Sequence, residues 1–330
     1  MTQTRRGLFR GVFQAALVGC ALAVAPVSSA LAAWPERPVT VIVPFAAGGG
    51  TDATARILAS LLEKELGQPF NVVNRPGGSG VVGHTATAQA RPDGYTIGIA
   101  TTELNSYKPL GLADLAPGSF TPIALYNFDP AAVHVPADSK YKTLADLLDA
   151  LKKGETVRIS TGGPLGGSWH TGFGLLLVSQ KIDPMKVTFV PSNGAAPGLQ
   201  EMVAGGVDAT ASSLPEAKSL IDAGKVRSLG VVGPVRLAAF PDVPTTKEAV
   251  GTEVMGGAWR AVLAPKGIPN DVRDRLVAAM QKVVATEDFK KFMNDRGFGM
   301  RWAVGADLDK FLGEQEVSLG ETLKAIGLAK

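Results

Sequence analysis

Cysteine is all but missing from this chain: one occurs in 330 residues, Cys20, so no internal disulfide can form, and removal of an N-terminal export signal containing it would leave no thiol for catalysis. Histidine is scarce as well. With only His84, His134 and His170 present, a histidine-rich metal site is not expected, and no cofactor is implied. Excess charge is also lacking beyond the N-terminus. The formal net charge of +3 is carried by Arg5, Arg6 and Arg10, so residues 34–330 are formally neutral, which removes the electrostatic case for nucleic acid or an anionic membrane. No Gly-x-Ser-x-Gly elbow and no usable cysteine are present, so an exported hydrolase is the weaker reading and an enzyme is not expected.

Long apolar runs are missing too. The stretch Gly11–Ala25 is broken off by Pro26 and is shorter than the ~20 residues a membrane span needs. With three arginines before it and Ala30-Leu31-Ala32 after it, the stretch reads as an export signal cut after Ala32 or Ala33. Thr4-Arg5-Arg6-Gly7-Leu8-Phe9-Arg10 is also close to a twin-arginine signal, so Sec and twin-arginine export both stay open. Leu17-Val18-Gly19-Cys20 offers a lipoprotein cut at Cys20 as the less favoured alternative.

What is present is strand–helix alternation. Short apolar runs at 39–44, 70–74, 96–100, 121–126, 157–160, 186–191, 226–232 and 259–264 predict buried strands, and parallel α/β packing is the natural way to cover them. Ile57, Leu58, Leu61 and Leu62 make one buried stripe of a helix. Thr143 is placed to cap a helix over 144–153, with Asp146 closing a capping box and Gly154 beyond the end. Val272, Leu276, Ala279 and Val283 predict another helix. Further helices are expected over 287–295, stopped by Gly297, and over 306–328.

Three turns carry the chemistry. Val39–Phe45 runs into Ala46-Ala47-Gly48-Gly49-Gly50-Thr51-Asp52 and then a helix, so backbone N–H groups stand bare at the positive end of a helix dipole, a setting that suits a carboxylate or phosphate. The candidate ligand residues here are Phe45, Ala46, Ala47, Gly48, Gly49, Thr51 and Asp52, although Asp52 is more simply a cap ordering the turn, because its charge opposes an anion. After the 96–100 strand, Thr101, Thr102 and Asn105 offer hydroxyls and an amide at the carboxyl end of a strand. Glu103 beside them is either solvated or a partner for a ligand ammonium. Ser160–His170 repeats the strand, glycine turn and helix: Gly163, Gly167 and Ser168 are candidate donors, and His170 is either a contact or a tie for its own loop.

Several motifs in register resemble one family. Trp34-Pro35-Glu36-Arg37-Pro38, Pro44–Asp52 with Ala55-Arg56, Asn74-Arg75-Pro76-Gly77-Gly78-Ser79-Gly80, Pro92-Asp93-Gly94-Tyr95-Thr96, Phe120–Ala124, Pro241–Thr245 and Ala264-Pro265-Lys266-Gly267 are similar to the substrate-binding component of tripartite tricarboxylate transporters, the Bordetella uptake gene family. The resemblance implies a type II periplasmic-binding-protein-like α/β fold, with two domains hinged about an interdomain ligand cleft. It divides the chain into residues 34–130 plus 252–330 and residues 131–251, with crossings near 127–131 and 251–258. It also implies a monomeric periplasmic receptor for a small carboxylate, with membrane permease subunits or a sensor kinase as partners.

Departures from the commoner family pattern bear on the ligand. Ser192, Asn193 and Gly194 stand where many relatives have Tyr-Lys-Gly, and Ser212-Ser213 where many have Asp-Asn. Arg260 replaces an aromatic or apolar residue, and is either a carboxylate contact or an interdomain salt-bridge partner.

Overall fold

Val39-Thr40-Val41-Ile42-Val43 is β-branched throughout, a composition that fits a pleated, buried strand, and it forms β1 at the centre of a parallel trio. The structure is a computed structural model describing residues 34–329, so the expected export signal lies outside the described residues. From β1 the chain turns through 44–49 into α1 (Gly50–Leu66), β2 (Phe70–Asn74), α2 (Val81–Ala88) and β3 (Thr96–Thr101). A long strand, β4 (Phe120–Pro136), carries it onward to α3 (Leu144–Lys152), β5 (Arg158–Ser160), α4 (Ser168–Ser179) and β6 (Thr188–Val190). Then come α5 (Ala195–Val203), β7 (Ala209–Ser212), α6 (Leu214–Asp222), β8 (Val226–Val232) and α7 (Thr246–Val250). The chain returns through β9 (Gly257–Pro265) and finishes with α8 (Asn270–Ala285), α9 (Glu287–Arg296), β10 (Met300–Ala303) and α10 (Gly305–Ala325).

The strands form one curled sheet in the order β2-β1-β3-β9-β4-β7-β5-β6, with β8 and β10 each added against β4. Its two halves repeat a plan. In the first, β1 lies parallel between β2 and β3; in the second, β5 lies parallel between β6 and β7. β4 serves both halves, pairing with β9 as far as Pro130 and with β8 from Ala131 onward. We call the halves the first and second lobe.

Each lobe has its own apolar packing. Leu58, Leu61 and Leu62 of α1 meet Leu276, Met280 and Val283 of α8 over Val41, Val43, Ile97 and Ile99. On the opposite face, Leu308, Phe311 and Leu312 of α10 cover Leu104, Tyr107, Trp259 and Leu263. In the second lobe, Leu144, Leu147 and Leu148 of α3 and Phe173, Leu176 and Leu177 of α4 pack about Val133, Val135 and Ile159. At about 1.5–3 kcal/mol for each fully buried large side chain, these clusters hold the rigid parts around the glycine turns.

The helix punctuation appears as read. Thr143 Oγ1 accepts from the Asp146 amide while Asp146 accepts from the Thr143 amide, and Gly297 ends α9 in the left-handed conformation. Three strand expectations need correction. The 121–126 strand runs on to Pro136, and β7 and β10 were not anticipated, because Ala-Thr-Ala-Ser and Met-Arg-Trp-Ala lack the aliphatic run that marks a buried strand.

Candidate functional site

β1 and β5 each deliver the chain from their carboxyl ends into a glycine turn and then a helix, and the two turns face each other. In the first, Gly48 takes φ +88, Gly49 is the N-cap, and Gly50 begins α1. In the second, Gly166 takes φ +72, Gly167 is the N-cap, and Ser168 begins α4. Positive φ is strained for any residue with a Cβ, which accounts for glycine at 48 and 166.

The third helical residue ties down each turn. Asp52 Oδ2 accepts from the Gly48 amide at 3.0 Å, and His170 Nδ1 accepts from the Gly166 amide at 2.9 Å, four residues back in both cases. Burial works to raise the Asp52 pKa, but hydrogen bonds from Arg56, the Gly48 amide and Asn74 outweigh it and hold the carboxyl below its usual range. Burial lowers His170 from its ordinary 6.5 to about 4, which leaves the neutral ring that the acceptor role needs. Asp52 therefore orders its turn without capping a helical amide, and His170 ties its own loop while packing edge-on against Phe189 at 4.2 Å between centroids.

The first helical amide of each turn is claimed by a glutamate from the opposite lobe. Glu216 of α6 accepts from the Gly50 amide at 2.8 Å. Glu103, after β3, accepts from the Ser168 amide at 2.9 Å and the Ser168 hydroxyl at 2.8 Å. Two crosswise clasps therefore join the lobes, each a carboxylate on a helix N-terminus, where the dipole favours negative charge. The solvated reading of Glu103 is corrected: the residue is only 3% exposed.

Arg260 of β9 lies behind the Glu216 clasp, 1% exposed. Its Nε donates to Thr51 Oγ1 at 2.9 Å, Nη1 donates to Asn127 and Asp129, and Nη2 donates to Glu216 at 3.2 Å. Burial disfavours its charge, but Asp129 and Glu216 together raise its pKa. Glu216 is pushed above the usual carboxylate range by burial, partly offset by Arg260 and the Gly50 amide. The guanidinium fork is thus taken up by side chains of both lobes.

Between the clasps lies a cavity of about 30 Å³, lined by Phe45, Ala46, Gly49, Gly50, Thr51, Thr101, Glu103, Gly163, Ser168, Gly194, Glu216 and Arg260 among others. Of the sequence candidates, Ala47, Gly48, Asp52, Thr102, Asn105, Gly167, His170, Ser192, Asn193 and Ser212 are not in its wall. Thr102 accepts from the Trp259 amide, Ser192 Oγ donates to the Gly194 carbonyl, Ser212 Oγ donates to the Ser213 carbonyl, and the Asn193 carbonyl accepts from the Ala46 amide. Thr101 Oγ1 and both amide atoms of Asn105 are buried without a hydrogen-bond partner among the described residues. Unpaired buried polar groups of this kind are uncommon and costly.

Sequence reading missed Glu216, Asn127 and Asp129, while Gly50 belongs to the turn whose amides it read as bare. For Glu216 a signal existed. Ser213-x-x-Glu216 is a capping box just beyond a cleft-side strand, and the same carboxylate that closes the box also reaches across the cleft.

Comparison with known proteins adds to this geometry. The family model described as Tripartite tricarboxylate transporter family receptor matches residues 54–328. A Pseudomonas sp. (strain P51) protein from the tcbD–tcbE intergenic region is 34% identical over 298 residues, covering 88% of this chain and 87% of its own. Among solved structures, the periplasmic binding protein BugD aligns with a TM-score of 0.82 at 28% identity, over 90% of this chain and 100% of its own. MatC from Rhodopseudomonas palustris, solved with bound malate, aligns with a TM-score of 0.78 at 28% identity, over 88% of this chain and 100% of its own. The curled sheet on a shared strand is the two-domain α/β fold of periplasmic binding proteins.

Proposed function

The chain belongs to the tripartite tricarboxylate transporter receptor family, and from that premise we propose that it captures a small carboxylate between its lobes in the periplasm and hands it to a membrane permease. The observation that carries this reading is the facing pair of strand, glycine turn and helix units, whose first helical amides both bind carboxylates across the cleft. A site that already accommodates two carboxylates has the donors a carboxylate ligand needs.

The domains in this reading are residues 34–130 plus 252–330 and residues 131–251. Opening is part of the mechanism. The cavity of about 30 Å³ is that of the closed form, and it widens to take a ligand of several heavy atoms as the lobes separate. Separation breaks the Glu103–Ser168 and Glu216–Gly50 clasps, and a bound ligand replaces some of their hydrogen bonds on closing. Ser168 and His170 give no sign of a nucleophile and base, since Ser168 Oγ donates to Glu103 and His170 Nδ1 is taken by Gly166, so turnover is not part of the proposal.

The test is a thermal-shift screen of residues 34–330, unfolded and refolded to strip carried ligand, against mono-, di- and tricarboxylates, amino acids and phosphate esters. A ligand at ~100 times its dissociation constant adds about 2.7 kcal/mol, which raises the midpoint by several degrees in a chain of this size. A shift confined to carboxylates is the expected outcome. Shifts with phosphate esters alone, or with nothing in the panel, would overturn the carboxylate reading.

A further inference from the structure

The two clasps are alike in their donors but not in what happens to the glutamate when they open. Glu216 has company in its own lobe: the Ser213 amide and hydroxyl stay on it when Gly50 and Arg260, both of the first lobe, move away. Glu103 has Ser168 alone as its side-chain partner among the described residues. Among the described residues the side chains lining the cavity hold one cation, Arg260, and when Glu216 moves away with the second lobe, Thr51, Asn127 and Asp129 of the first lobe stay on it, Asp129 balancing its charge.

Any ligand that parts Glu103 from Ser168 therefore leaves two halves to satisfy. The amide and hydroxyl of Ser168 need an acceptor, and the buried Glu103 carboxylate needs a donor. A plain dicarboxylate answers only the first and brings further negative charge toward the second. A molecule with a carboxylate and an ammonium answers both, slipping into the clasp with opposite ends on Ser168 and Glu103. Thr101 stands in the same cavity wall, 2% exposed and with its hydroxyl unpartnered, as an additional donor for the ligand's carboxylate.

We propose that Glu103 is a specificity-determining residue that selects an amino-carboxylate zwitterion over the corresponding acid lacking the ammonium. The inference rests on the cleft being a carboxylate receptor site and narrows its ligand class.

The experiment is calorimetric titration of the stripped protein, residues 34–330, at neutral pH with matched ligands. The pairs are 4-aminobutyrate against glutarate, 5-aminopentanoate against adipate, alanine against propionate, and leucine against 4-methylpentanoate. The wild-type protein is expected to bind the amino member of at least one pair about tenfold or more tightly than its partner. Glu103→Gln, which keeps an acceptor for Ser168 but removes the charge, is expected to reduce that preference by about tenfold. Equal or tighter binding of the acids lacking nitrogen by wild type overturns the inference while leaving the carboxylate reading intact, and so does a preference that survives in Glu103→Gln. Binding of neither member of any pair, by protein shown by circular dichroism to be folded, overturns this inference, and the carboxylate reading falls with it only where the wider thermal-shift panel of mono-, di- and tricarboxylates is also silent. The wild-type comparison stands without the variant, should Glu103→Gln fold poorly.

Discussion

The first glycine turn is held by charge and the second by a neutral ring. In both, the third helical residue accepts from a glycine amide four positions back, but Asp52 does so as a carboxylate braced by Arg56 and Asn74, whereas His170 does so as an uncharged imidazole pressed against Phe189. The same backbone problem has two chemical answers because the surroundings differ. Asp52 has a half-exposed arginine at hand, and His170 sits where burial alone drives off its proton. An acidic tie persists to low pH, while a histidine tie depends on staying neutral.

The largest effect expected from breaking this comparison lies behind the first turn. Arg260→Met leaves Asp129 and Glu216 buried without their cation and should cost about 3–5 kcal/mol in urea unfolding. Arg260→Lys should recover little of that, because one ammonium cannot reproduce a fork that serves four side chains. A loss under 1 kcal/mol in Arg260→Met would show that the network contributes little to the closed form.

The second turn should fail first on acidification. His170 is held below its ordinary value, so its contribution is present above pH 6.5 and is lost as pH falls through about 4, amounting to about 3 kcal/mol at full protonation. His170→Asn keeps an acceptor that does not titrate. Urea melts between pH 7 and 4 should show a shallower loss in the variant; parallel curves would mean that the ring's neutrality does not matter.

Asp52 should behave in the opposite way over that window. Its folded pKa is lowered, so its contribution is retained down to the ordinary carboxylate value of 3.8 and is lost only as pH falls through the lower folded value. Asp52→Ala should cost about 2 kcal/mol at neutral pH by removing charge-assisted bonds from Arg56, Asn74 and the Gly48 amide. An equal cost at pH 4 and pH 7 is part of the expectation, and thermal melts at both values check it.

The smallest contrast is within the turns. Gly48→Ala must hold φ +88 and should cost about 1–2 kcal/mol. Gly163→Ala, whose Cβ would meet nothing closer than Trp169 at 4.0 Å, should stay within about 0.5 kcal/mol by the same melts.

Much of this architecture is legible in the residues themselves. β1, β2, β3, β8 and β9 follow from aliphatic runs, α3 from its capping box and α8 from its apolar stripe, because those signals are local. The glycine turns are legible for the same reason: a bare backbone before a helix is a local fact. β7 was not, since Ala209–Ser212 becomes a strand through its partners β4 and β5 rather than through its own composition.

Local composition alone sets the strand–turn–helix units and the placing of two anion-suited helix starts. What fills those helix starts comes from the packing of distant segments. That Glu216 meets Gly50, that Glu103 meets Ser168, and that Arg260 turns inward to Asp129 are contacts between residues 166, 65 and 131 positions apart. Propensity and periodicity act over a few residues, whereas a buried charge is satisfied by whatever the fold brings beside it, and that is set by how the two lobes close.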